Sequence, residues 1–159
     1  MSEMNNAVEI LQASIFDLDK LIPLFDAYRV FYKQKNSDLP AIRQFLQDRL
    51  RNLDSVIFCA SRIPANEKED CVGFCQLYPS FSSVSMRRIW ILNDLFVSPS
   101  ARNLGIGEKL IRQAIAFAKA TEAKKLVLQT GKDNKTAQKL YSRLEWVRNE
   151  EFLTYEFTL

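Results

Sequence analysis

Histidine is absent from this 159-residue chain. That absence removes Ser-His-Asp and Cys-His nucleophile systems and His-rich zinc sites. Any acid–base work falls to Tyr, Asp, Glu, Lys, Cys or water. Cysteine is scarce as well. Cys59, Cys71 and Cys75 make a poor metal set, so no metal site is expected. Each lies in an apolar, strand-like run and reads as a buried reduced thiol, because free Cys packs as a small hydrophobe. No apolar stretch approaches the ~20 residues needed to cross a bilayer. Residues Met1 to Asn6 lack a basic segment followed by an apolar run, so no signal peptide is expected. No dense Lys/Arg stripe is present either. The net charge of +3 and pI near 8.8 suit an anionic ligand and give no nucleic-acid signature; strong salt-dependent DNA binding would revive that reading. Together these features point to the cytoplasm and to neither a membrane nor a nucleic-acid partner.

Repeats, low-complexity tracts and linkers are also missing, which leaves a single domain over 1–159. Its 47% apolar and 26% charged residues are ordinary for a globular protein. A chain this long buries a sizeable core without disulfides or metal.

Apolar periodicity sets out the elements. Val8 to Ala13 reads as a strand. Asp17 to Lys33 has helical spacing at Leu18, Leu21, Ile22, Phe25, Tyr28 and Tyr32, with Asp17 as N-cap and Pro23 expected to kink the helix or end its first part. Pro40 suits the first turn of a second helix, with Leu39, Ile42, Leu46, Leu50 and Leu53 on one face. Ser55 to Ser61 and Cys71 to Tyr78 read as paired strands joined by a hairpin loop from Arg62 to Asp70. A Ser-rich loop is expected over Pro79–Ser85. The run Arg88 to Val97 is continuously apolar rather than alternating, the pattern of a central strand covered on both faces. Gly105 to Ala120 is the strongest helix. Lys125–Gln129 reads as a strand and Asn134–Leu144 as a helix with Ala137, Leu140, Tyr141 and Leu144 on one face. Phe152–Leu159 reads as a final strand. The order argues an α/β domain with a mixed sheet.

Residues 98–107, Ser-Pro-Ser-Ala-Arg-Asn-Leu-Gly-Ile-Gly, join the central strand to that strongest helix. A helix start leaves backbone N–H groups unpaired and carries partial positive charge, and glycines let backbone approach a ligand closely. Such a turn is an anion site suited to a pyrophosphate, with Arg102 adding a fixed charge. The glycines alone serve a tight turn and helix entry equally well. Other phosphate loops fit worse: Gly107 is followed by Glu108-Lys109-Leu110 rather than the Lys-Ser/Thr of a P-loop. Leu110 also stands where a dinucleotide fingerprint needs a small residue.

Arg102-x-x-Gly105-x-Gly107 after "LNDLFV", with "NKTAQKLYSRLEW" over 134–146, resembles the acyl-CoA-binding and second motifs of the GNAT superfamily of N-acetyltransferases. The resemblance covers nearly the whole chain and is strongest from Val72 to Trp146. Its pattern is closest to the small-amine, polyamine acetyltransferase-like branch. It implies a mixed, mostly antiparallel sheet of about six to seven strands, flanked by about four helices and splayed at the central strand. It also implies acetyl-CoA as cofactor, a homodimer, and an acceptor that is a small amine or a protein lysine. By the same resemblance, strand amides at Leu95, Phe96 and Val97 meet the acetyl carbonyl and pantetheine arm. Amides of Arg102, Asn103, Leu104, Gly105, Ile106 and Gly107, with Glu108, hold the pyrophosphate. Asn134 contacts the CoA arm, and Tyr141 is the general acid for the departing thiolate. One departure stands out: Glu145-Trp146 replaces the family's frequent Gly-Phe, which puts the local helix-end geometry in question.

The chemistry suits this set. Aminolysis of a thioester needs a neutral amine, a donor for the developing oxyanion and a proton for the thiolate. No enzyme nucleophile is required, in keeping with the missing His. Tyr141 follows Asn134 by seven residues, nearly two helical turns, so both side chains share a face; read alone, Tyr141 is equally a core residue with its hydroxyl at the surface. Asp94 interrupts the apolar strand, and a buried carboxylate is costly unless paired. It either attracts the cationic amine and relays its proton, or forms a structural pair with Arg87 or Arg88. Tyr28, Tyr32 and Tyr78, with Arg29 and Phe31, are candidates for the acceptor pocket or for plain core. The Pro79–Arg88 loop is a lid or a dimer contact. The reading is acetyl transfer to a primary amine, against a non-catalytic acyl-CoA-binding module of the same fold.

Overall fold

The computed structural model describes residues 7–62 and 70–159; the Met1–Asn6 segment and most of the expected Arg62–Asp70 loop lie outside them. Two compact units emerge, one up to Leu128 and one from Gln129 to Leu159.

The first unit holds a five-stranded sheet in the order β1 (Val8–Gln12), β2 (Val56–Arg62), β3 (Asp70–Ser82), β4 (Arg87–Val97), β5 (Leu126–Val127). The first four pair antiparallel and β5 joins β4 parallel, the mixed, mostly antiparallel sheet that the sequence predicts. Helices α1 (Leu18–Phe31) and α2 (Leu39–Asn52) cover one face, and α3 (Ile106–Ala120) covers the other.

Two bulges decide which side chains reach which face. Opposed residues on paired strands share a face, so one extra residue flips everything beyond it. Gln76 opposes Asp94 but Leu77 opposes Leu92, leaving Asn93 as the extra residue of β4. Trp90 therefore meets Phe117 of α3, while Phe96 meets Tyr28 and Phe31 of α1. Trp90, Leu92, Asp94 and Phe96 are all buried, so the bulge lets alternate residues of one strand bury on both faces of the sheet. A second shift at Ala60/Ser61 leaves Val72 extra and turns Cys71 to the face of Cys59. These two cysteines are joined in a disulfide, a correction to the expected reduced thiols, and the thiol count no longer argues for a reducing compartment. Cys75 stays free and buried, its thiol pushed up to about 12 chiefly by burial.

Other expectations shift in detail. α1 continues through Pro23, and the Asp17 carboxylate turns back to accept from the Ser14 backbone and hydroxyl. α2 buries Ile42, Leu46 and Leu50, but Leu39 and Leu53, at its two ends, are exposed. The expected loop Pro79–Ser85 is mostly strand: β3 runs to Ser82, with Pro79 opposite Trp90. β2 starts opposite Leu77, so β3 has a free edge at Pro79 and the missing N–H costs no ladder bond there.

In the second unit, α4 (Lys135–Arg143) begins at the expected Asn134, whose side chain caps Ala137 N–H at 3.2 Å. The predicted strand Phe152–Leu159 has no regular secondary structure. Five strands with four α-helices are thus present among the described residues, against about six to seven expected strands. No helix of the described residues is long and apolar enough to cross a membrane.

Candidate functional site

The β4 bulge creates the most chemically loaded point of the first unit. It turns Asp94 inward, 5% exposed, beneath α1. Three neutral donors meet the carboxylate: Tyr28 Oη at 2.6 Å and Asn93 Nδ2 at 3.1 Å on Oδ1, and Gln76 Nε2 at 2.8 Å on Oδ2. The alternative of a structural pair with Arg87 or Arg88 is overturned. Arg87 donates to the Glu122 carbonyl, and Arg88 stacks over Phe81 and Trp90. The buried charge is satisfied by hydrogen bonds rather than by a cation.

Around it stand the candidate acceptor aromatics. Tyr28 packs edge-on against Tyr32 and Phe74, at 5.0 and 5.6 Å. Burial, and then the hydrogen bond and charge of Asp94, push its phenol far above the ordinary range. Tyr78 is pushed up to about 12 by burial and by the Asp94 charge, against the opposing charge of Arg49. Both phenols therefore stay protonated at any physiological pH. Tyr32 is half exposed and joins the cluster only through its ring.

Beyond Ile91, opposite Val127, β4 loses its ladder to β5. From Leu92 to Val97 that edge, which includes Leu95, Phe96 and Val97, carries no strand partner among the described residues. The chain then makes a 3-10 turn, Pro99–Ala101, and enters α3. Arg102 Nε donates to the Val97 carbonyl at 3.1 Å, and its guanidinium lies over Phe31 and Phe96. Asn103 and Gly105 take positive φ, 63° and 72°. A Cβ on Gly105 would meet nothing within 4 Å, so this glycine serves its backbone angle and not close packing. Ile106 anchors the helix, 2% exposed. No side chain caps the start of α3, and the first bond into the helix is Lys109 N–H to the Gly105 carbonyl. The preceding N–H groups have no partner within the helix, the general property that suits a helix start to an anion. Glu108 is the one adverse charge there, and Arg112 holds it in two contacts of 2.7 and 2.9 Å. An uncapped helix start with an open glycine fits a pyrophosphate.

In the second unit, Asn134 is committed to its capping bond, and Tyr141 lies on the half-buried face of α4 with its ring 5.9 Å from Trp146. Glu145 takes φ 64°, with Trp146 N–H on the Tyr141 carbonyl and Glu145 N–H on that of Ser142. That is a Schellman ending with Glu where Gly is usual, so the departure from Gly-Phe leaves the helix end formed.

Two residues escape the motif reading. Gln76, 0% exposed, was signalled by a polar residue inside an apolar strand. Gly73 lets α3 approach: a Cβ there would come within 3.1 Å of the Phe96 carbonyl and 3.3 Å of Ile106; its signal was a glycine inside a strand.

Comparison with known proteins supplies the rest. The model of the acetyltransferase (GNAT) family matches residues 21–146. The uncharacterized N-acetyltransferase YhfO of Bacillus subtilis (strain 168) is 45% identical over 148 residues, 93% of this chain and 95% of that one. A probable acetyltransferase of Haemophilus influenzae is 33% identical over 138 residues, 87% of each. Among solved structures, a probable acetyltransferase superposes with a TM-score of 0.86 at 40% identity, covering 95% of this chain and 97% of that one. An aminoglycoside acetyltransferase from a soil metagenome, in complex with sisomicin, reaches a TM-score of 0.81 at 24% identity, with 99% of each covered; a likeness at that identity carries the fold alone.

Proposed function

The chain belongs to the acetyltransferase (GNAT) family and is an acetyltransferase, and from that premise we propose that it transfers an acetyl group from acetyl-CoA to a primary amine by direct attack. The observation that carries the acceptor side is Asp94, a buried carboxylate satisfied by three neutral donors and, among the described residues, no cation, at the strand end that leads into the open start of α3. Amides from Arg102 to Gly107, with the Glu108 N–H at the helix entry, hold the pyrophosphate, and Asn134 touches the CoA arm. Acetyl-CoA supplies the activated acetyl group. An N–H of the open β4 edge, at Phe96 or Val97, polarises the thioester carbonyl. Asp94 draws the ammonium form of the acceptor into the cluster of Tyr28, Tyr32 and Tyr78 and takes up its proton. The C–N bond forms as the C–S bond breaks, Tyr141 gives its proton to the leaving sulfur, and the second proton shed by the nitrogen returns through water to the Tyr141 phenolate.

Anionic Asp94 and the tyrosines around it favour a small cationic amine, as in the polyamine-like branch, over an acceptor with a carboxylate beside its amine. The same cluster would also accept a protein lysine. One acyltransferase domain spans 1–159, and it works as a homodimer; the apolar, solvent-facing run at residues 152–159 supports the second point.

The test is thiol release with a panel of small amines and a lysine peptide. Tyr141→Phe is expected to keep acetyl-CoA affinity within about threefold and to lose at least ~100-fold in kcat, the scale of general acid catalysis. Unchanged turnover in Tyr141→Phe removes the general acid. Asp94→Asn is expected to raise amine KM with little change in melting temperature; loss of stability with unchanged KM would make Asp94 structural.

A further inference from the structure

Gln76 is a costly residue for its position. It lies in the middle of β3, 0% exposed, between Cys75 and Leu77 at 0%. Its amide nitrogen donates to Asp94 Oδ2 at 2.8 Å, and its Oε1 has no hydrogen-bond partner among the described residues. A buried acceptor without a partner carries a desolvation penalty. A methionine or leucine would fill the same apolar strand without it. Such breaks with folding rules concentrate at functional sites. The β4 bulge explains the placement: the register that leaves Asn93 extra sets Gln76 directly opposite Asp94. The Gln76 amide therefore holds one carboxylate oxygen across the strand pair, while Tyr28 holds the other.

We propose that Gln76 is the positioning residue of the acceptor site, holding Asp94 in one orientation together with Tyr28 so that the carboxylate presents a fixed lone pair to an incoming ammonium group. With Oδ1 taking two donors and Oδ2 one, the remaining acceptor capacity of the ionised carboxylate centres on Oδ2, the atom Gln76 holds. The inference rests on the acetyl-transfer reading for its kinetic arm only.

The experiment compares the full-length wild type with Gln76→Met and Gln76→Glu. Calorimetry measures binding of n-butylammonium, and thiol release measures kinetics with the best amine of the panel. In Gln76→Met, the butylammonium Kd and the amine KM are expected to rise by about tenfold, the scale of one hydrogen bond to a charged group. Acetyl-CoA KM stays within about twofold, because nothing at the start of α3 changes. Gln76→Glu sets two carboxyl groups side by side, which titrate as a coupled pair. Its pH profile of kcat/KM for the amine, or of butylammonium Kd, is expected to gain a titration step absent from the wild type. The proposal is overturned if the wild type does not bind butylammonium, if folded Gln76→Met leaves amine affinity unchanged, if acetyl-CoA KM rises in parallel with amine KM, or if the Gln76→Glu profile superimposes on the wild type. A wild type that binds butylammonium but releases no thiol with any amine removes the acetyl-transfer reading instead, and the calorimetric arm still decides the role of Gln76.

Discussion

At the scale of single residues, Asp94 and its neighbours govern how the protein responds to pH. Tyr28 and Tyr78 both bind their phenolic protons more tightly in the fold than in the unfolded chain, because burial and the Asp94 charge disfavour phenolate. A raised pKa contributes stability that is complete below the unfolded value of about 10. As pH climbs past that value the unfolded chain releases its protons first, so stability falls through the interval that ends near 12 for Tyr78 and higher for Tyr28. The buried Cys75 thiol, also raised, starts this loss earlier, so denaturation midpoints are expected to hold up to pH about 9 and then fall, and Tyr28→Phe with Tyr78→Phe should flatten the part of that limb above pH about 10. Phenolate absorbance of the folded wild type should show two of its five tyrosines resisting ionisation until the chain unfolds. An alkaline limb unchanged in the double variant would show that other groups set it. Asp94 also marks how far residue types can be read without a structure. A carboxylate inside an apolar strand flagged itself; Tyr28, Tyr32 and Tyr78 were candidates through the family resemblance, while helical spacing by itself read as core. The partners of Asp94 were not legible. Arg87 and Arg88 are nearer in sequence than Tyr28 or Gln76, and only the strand register and the α1 packing decide between them.

At the scale of elements, what could be read depended on whether local pattern or pairing set the outcome. α3 was legible because Leu110, Ile111, Ala114 and Ala118 repeat with helical period and stay buried. The turn before it was legible because Gly105 announces its positive φ. The bulges at Asn93 and Val72 were not: each depends on the partner strand, and they decide the faces of Asp94 and Cys71. Pro79 read as loop because the free edge of β3 depends on where β2 starts. Glu145 is an intermediate case. The sequence shows a non-glycine after α4, and the structure shows it in the left-handed region at the Schellman position. A side chain there costs roughly 1–2 kcal/mol, partly offset because glycine loses more entropy on folding, about 0.4–1 kcal/mol. Glu145→Gly is therefore expected to stabilise the chain by about 0.5–1 kcal/mol, read as a higher denaturant midpoint at unchanged slope. A lower midpoint would mean that the Glu145 side chain contributes more than its backbone angle costs.

At the scale of the whole molecule, residues 152–159 raise the remaining question. Leu153, Tyr155, Phe157 and Leu159 alternate with Thr154, Glu156 and Thr158, the two-residue period of a strand with one apolar face. All four apolar side chains are exposed, as is Phe152, and the segment has no strand partner among the described residues. Leaving them in water forgoes about 1.5–3 kcal/mol for each fully buried Leu or Phe, which is large against the stability of a domain. A period-two segment gains this energy by adding to a sheet edge, and the proposed homodimer supplies one in the second copy. Light scattering is expected to give a mass about twice 18.4 kDa for the full chain, and about one subunit after deletion of 152–159. Hydrogen exchange should show alternate amides of the segment protected in the full chain, with protection lost on dilution as the dimer dissociates. If the full chain is instead a monomer with those amides protected independently of concentration, the segment pairs within its own subunit and the dimer proposal falls. If they are unprotected in a dimer, the subunits meet through another surface, and the exposed apolar tip of the β3–β4 hairpin, Phe81, Val84 and Met86, becomes the next face to truncate.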